Sequence, residues 1–108
     1  MMNDPQYFEA ARHLGYRMLH EGGADDSERL MYGFRLVTSR PPAGSECEVL
    51  KEDLAAQRVH FEADPAAARK VIAIGESPVP AGVPAPDLAA YTMVANLLLN
   101  MDETVTLN

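Results

Sequence analysis

Cysteine occurs once in the 108 residues, as Cys47. That scarcity excludes an internal disulfide, a Cys-x-x-Cys redox pair, a Cys-x-x-Cys-His haem attachment and a multi-cysteine zinc site. Positive charge is also short: nine Lys and Arg stand against sixteen Asp and Glu, a formal charge of −7. A surface of that sign repels phosphate backbones and anionic lipid, so nucleic acid is not an expected partner. Long apolar runs are missing too. The longest, Met93 to Met101, is broken by Asn96 and Asn100 and falls far short of the ~20 residues of a membrane span. No basic segment followed by an apolar one opens the chain, so a secretory signal is not expected in this stretch. Absent as well are a glycine-rich phosphate loop, a nucleophile elbow, a metal-binding helix motif, internal repeats and the period-two alternation of strands.

What is present has the balance of a folded domain, with 47% hydrophobic and 23% charged residues. That composition is globular rather than disordered, and ~100 residues suffice to bury roughly two-thirds of the unfolded chain's surface. A single all-α domain over residues 1–108 is therefore expected, and helix punctuation divides it. Asp4-Pro5 joins a capping residue to a proline at the first helical position, where a missing N–H costs nothing, and opens a helix over 5–21 that ends before Gly22-Gly23. Asp25-x-x-Glu28 has the form of a capping box and starts a second helix over 26–39, with Arg40 at its negative end and Pro41-Pro42 stopping it. Ser45-x-x-Glu48 has the same form and starts a third helix over 46–63. Asp64-Pro65 repeats the cap-plus-proline signal for a short fourth helix over 65–73. Pro78, Pro80, Pro84 and Pro86 make 76–86 a Pro-rich connector, and a fifth helix is expected over 87–103. The result is a compact bundle of about five helices.

The apolar positions suggest how the helices pack. In the first helix Tyr7, Phe8, Ala11, Leu14, Gly15, Met18 and Leu19 share one side, opposite Glu9, His13, Arg17 and His20. The second carries Leu30, Met31, Phe34 and Val37 on one face with Tyr32 and Leu36 behind, the pattern of a helix between neighbours, and Gly33 permits close approach. The third has a narrow stripe of Cys47, Leu50, Leu54 and Phe61 and reads as peripheral. The last is apolar around its circumference, through Tyr91, Val94, Ala95, Leu97, Leu98, Leu99 and Met101, and belongs at the centre.

Chemistry-bearing residues form no constellation. His13 and His20 lie about 10.5 Å apart along a helix at ~1.5 Å per residue, too far to share a metal ion. Glu9 and His13 are better read as a solvated face, His60 as a solvent-facing single histidine, and Cys47 as a small core residue. The Asp25, Asp26 and Glu28 cluster sits where helix capping wants acid, and acid–base catalysis needs two carboxylates in distinct environments. The same acids argue against a helix-turn-helix reader, whose recognition helix starts with basic and polar residues. No catalytic, cofactor-binding or metal residues are expected. Asn96 and Asn100, one turn apart on an apolar helix, should hydrogen-bond neighbouring backbone or face a partner, and Arg12 joins them as a partner-facing candidate.

Several segments in order carry a family likeness: Met2-Asn-Asp-Pro-Gln-Tyr-Phe-Glu-Ala-Ala-Arg12; Tyr32-Gly-Phe-Arg-Leu36 leading to Arg40-Pro-Pro42 and Glu48; Gly75-Glu-Ser-Pro78; and Val94-Ala-Asn-Leu-Leu-Leu-Asn-Met-Asp-Glu103. As a set they resemble the C-terminal domain of planctomycete cytochrome c-linked proteins. The sequence departs from that pattern at Thr104-Val105, where an aromatic or leucine is expected, and at Ala85, where a capping Asp is common. The resemblance implies a C-terminal piece of a larger, exported, multidomain protein whose haem lies in another domain, with no cofactor in this chain. It implies a non-catalytic helical interaction or assembly module whose partners are the parent's other domains. The alternative is one wall of an enzyme or electron-transfer site completed upstream. Nothing in the sequence sets the oligomeric state.

Overall fold

Prolines and capping acids set the helix starts. The structure, a computed structural model, describes residues 5–74 and 78–107. The described residues form five helices: α1 (Pro5–Glu21), α2 (Asp26–Thr38), α3 (Gly44–Ala63), α4 (Pro65–Ile72) and α5 (Ala85–Leu107). No strand occurs among the described residues, so the all-α bundle expected from the sequence is the fold. Asp4 and residues 75–77 lie outside the described residues.

Asp25 caps α2 by accepting the Glu28 N–H at 2.9 Å, while Glu28 Oε1 reaches back to the Ala24 N–H, also at 2.9 Å. The reciprocal half of this box thus lands one residue earlier than the standard pattern. Asp64 serves two helices. Its backbone N–H donates to His60 O to close α3, and its carboxylate accepts the Ala67 N–H to open α4. Ser39 ends α2 with a left-handed φ of 64° and donates its N–H to Arg35 O, an αL cap formed without glycine.

The Ser45–Glu48 box is corrected by the structure. α3 begins two residues earlier than expected, because Glu46, rather than Glu48, accepts the Ala43 N–H at 2.9 Å. Arg40 fixes that same carboxylate with two 2.9 Å bonds, tying the end of α2 to the start of α3. The start of α5 shifts similarly. Pro86 sits in its first turn, and the first helical bond runs from the Leu88 N–H to Pro84 O, so the connector is shorter than 76–86.

The helix α5 is the centre. It packs against all four others, most extensively α1, and Leu88, Ala89, Ala90, Tyr91, Val94, Ala95 and Leu98 are buried in the core. Each fully buried leucine or valine among them contributes about 1.5–3 kcal/mol. The opposing helices supply Ala11 and Met18 from α1, Leu30 and Phe34 from α2, Leu50, Leu54 and Phe61 from α3, and Ala68 and Ile72 from α4. A radius of gyration of 13.0 Å matches the ~13 Å of a compact domain of ~100 residues.

Two glycines within helices permit close crossings. A Cβ on Gly15 would lie 3.0 Å from Thr92 N and from Tyr91 C, so backbone meets backbone where α1 crosses α5. At Gly33 a Cβ would lie 2.6 Å from Met18 Sδ, which is the close helix approach that Gly33 suggests in the sequence. Two apolar assignments do not hold. Met31 is 43% exposed, on the open side of α2 with Leu36, and Cys47 is only partly buried.

Candidate functional site

The densest polar cluster joins α2, α3 and α5. Arg58 grips Asp26 with two bonds of 2.8 and 3.1 Å, and its Nε lies 3.6 Å from Asp87. Tyr91, fully buried, donates its hydroxyl to Asp26 Oδ1. Arg29 approaches Asp26 at 3.9 Å, and the Arg58 guanidinium stands 5.9 Å from the Tyr91 ring centroid. These contacts move acidities in opposite directions. The hydrogen bond from Arg58, joined by that from Tyr91, holds the Asp26 carboxyl below its ordinary range. Burial, then the bond to Asp26, pushes the Tyr91 phenol up to about 12. Arg58 is pinned as a cation by Asp26.

A cleft of about 330 Å³ opens beside this cluster, lined by Asp26, Ser27, Lys51, Leu54, Ala55 and Arg58. Its acid, held below its ordinary range, accepts bonds from Arg58 and Tyr91, which suits it to bracing three helices rather than to exchanging protons. A second cleft, of about 390 Å³, lies along α2 between Glu28, Met31, Tyr32, Arg35 and Leu36. A third, of about 170 Å³, is formed by Ser45, Glu46, Val49 and Leu50 of α3 with Met101 of α5. Val49 is 57% exposed at its rim.

The three residues singled out in the sequence do not meet in any of these clefts. Arg12 is 1% exposed and donates Nη1 to Ile72 O and Nη2 to Pro78 O, the latter at 3.3 Å. It therefore clasps the carboxyl end of α4 and the connector onto α1, with its charge at the negative end of a helix. Asn96 is buried, and its Oδ1 has no hydrogen-bond partner among the described residues. Asn100 is half-buried and donates Nδ2 to Asn96 O at 2.7 Å.

His13, His20 and His60 are exposed, with His20 stacked 4.2 Å from Tyr16 and His60 edge-on 4.8 Å from Phe61. Among the described residues no three His, Cys, Asp or Glu side chains gather as a metal-holding group, and no helix is long and apolar enough to cross a membrane.

The sequence reading missed Asp26 and Arg58. It treated Asp25, Asp26 and Glu28 as one capping cluster, whereas Asp25 caps and Asp26 turns toward α3. A signal was available: Arg58 continues the buried stripe of Leu54 and Phe61 at helical spacing, and an arginine on an apolar stripe calls for a buried anion. No family model, curated protein or solved structure matches this chain.

Proposed function

We propose that this chain is a non-catalytic interaction and assembly module of a larger, exported, cytochrome-linked protein, and that it docks against that protein's other domains. The parentage rests on the ordered sequence segments that resemble the planctomycete proteins. The interaction role rests on one observation, the contrast between engaged polar groups and unengaged apolar ones. Asp26, Glu46 and Glu21, the carboxylates whose pKa is lowered, are each bound by an arginine within the fold. By contrast, Val49 is exposed beside the mainly apolar cleft it shares with Leu50 and Met101. Apolar side chains beside a groove are the usual anchors of a protein interface.

The alternative, one wall of an enzyme or electron-transfer site, draws on Asp26 in its cleft beside Lys51 and Arg58. It is the weaker reading, because none of Arg12, Asn96 and Asn100 lines that cleft. A binding titration tests the first reading, with the separately expressed remainder of the parent chain, haem portion included, added to the labelled domain. Saturable binding is expected, weakened about tenfold or more by Val49→Asp, equivalent to ~1.4 kcal/mol or more. Absence of binding at high micromolar concentration would refute it.

A further inference from the structure

The open face of α2 is complementary to itself. Glu28 and Arg35 lie seven residues apart, about two helical turns and ~10.5 Å along the axis, so both project from the same stripe. Between them stand Met31 and Tyr32, and Leu36 follows. Met31 and Leu36 are each 43% exposed. Arg35 is exposed, and its guanidinium forms no hydrogen bond or ion pair among the described residues. Glu28 uses Oε1 on the Ala24 N–H, which leaves its second carboxylate oxygen for another donor.

Tyr32 is held in place. Its hydroxyl donates to Glu21 Oε1 at 2.6 Å and accepts from Arg17 Nη2 at 3.1 Å, so the ring is a fixed wall that loses little freedom on being covered.

Turning a second α2 antiparallel about a two-fold axis between Met31 and Tyr32 sets Glu28 against Arg35, Arg35 against Glu28, and each Met31 against the other copy's Tyr32. Leu36 then meets Ser27. One acid, one base and an apolar centre, arranged symmetrically about a midpoint, are what an isologous contact requires. We propose that this face of α2 docks a second copy of this chain as a two-fold dimer. The contact goes beyond the assembly reading above, uses a different surface, and does not depend on it. A single-helix face buries less than the ~1,200 Å² of a standard interface, so the dimer is a concentration-dependent one.

Sedimentation of the full chain over a wide concentration series, at fixed ionic strength, provides the test. Mass should rise from monomer toward dimer. Arg35→Glu and Glu28→Arg each place like charges opposite one another, and each should weaken association about tenfold or more. The double variant should recover it, because both pairs are re-formed with reversed polarity. Mixing the two single variants should give a heterodimer that neither forms alone. If loss of the Ala24 contact unfolds Glu28→Arg, as seen by circular dichroism, Met31→Glu serves as the second disrupted chain. A wild-type chain that stays monomeric throughout overturns the proposal, as do an Arg35→Glu chain that dimerises equally well and a folded double variant that fails to recover. Parent domains binding this face while no self-association occurs would also overturn it.

Discussion

A methyl group at Gly15 would have nowhere to go. The atoms it meets, Thr92 N and the Tyr91 carbonyl group, belong to the backbone of α5 and cannot rotate away as a side chain would. Gly15→Ala should therefore separate α1 from α5 and cost about 1–3 kcal/mol, even though alanine is favoured over glycine within a helix by about 1 kcal/mol. Gly44 is the control, since a Cβ there meets nothing within 4 Å. Gly44→Ala should leave stability unchanged or raise it by about 0.4–1 kcal/mol through the unfolded state. Urea midpoints of the two variants, compared with wild type, should move in opposite directions or differ by at least the Gly15 penalty. Asp26 makes a related point about single residues. It and its neighbour Asp25 are chemically identical, yet one caps a helix and the other anchors Arg58 and Tyr91.

Among the elements, α4 depends most on borrowed support. It has eight residues, too few for an isolated helix to persist in water, and its last carbonyl is held by Arg12 from α1. Arg12→Met keeps the bulk but removes the donor for Ile72 O and Pro78 O, and should cost about 1.5–3 kcal/mol, the range of a hydrogen bond from a charged group. Amide hydrogen exchange should show the loss first in α4. Unchanged protection there would mean that packing of Ala68 and Ile72 alone retains the helix. Helix starts signalled by a proline after an acid were legible in the sequence, because both effects are local; the Asp64-Pro65 start needs nothing beyond its own turn. The start of α3 was not, since Glu46 is fixed by Arg40 across a proline turn, and a pattern that seeks a hydroxyl three residues before an acid finds Ser45 instead. Arg12 itself could have been read as interior, because it lies beside Ala11 and one turn before Gly15 on the buried side of α1. What it reaches, 60 residues away, is not written in any local pattern.

Taken as a whole, the molecule has a stability window with an acid edge and an alkaline one. Glu46 is lowered from 4.5 to about 2, first by Arg40 and then by the Ala43 N–H, and Asp26 is lowered as well. The unfolded chain therefore binds these protons more readily than the folded one. Their contribution is complete above ~pH 5 and is lost as pH falls toward about 2. Tyr91 runs the other way: its pKa is raised from 10.0 to about 12, so its contribution is full below 10 and is lost as pH climbs through 12. Urea midpoints should be flat at neutral pH and decline on the acid side, and Arg40→Ala should reduce the part of that decline due to Glu46. Phenolate absorbance should include two late-titrating tyrosines, Tyr91 and the Glu21-bonded Tyr32, of which Tyr91→Phe removes one. A decline of equal steepness in Arg40→Ala would separate Glu46 from the acid edge. The central place of α5 bears on biosynthesis. α1 to α4 leave the ribosome before α5 does, and α1, α3 and α4 each present an apolar stripe whose main cover has yet to be made. Until Leu88 to Leu98 emerge, those stripes can only contact one another or a chaperone. Docking of the five helices therefore follows translation of α5, and a stalled nascent chain ending before Ala85 should be as protease-sensitive as an unfolded one.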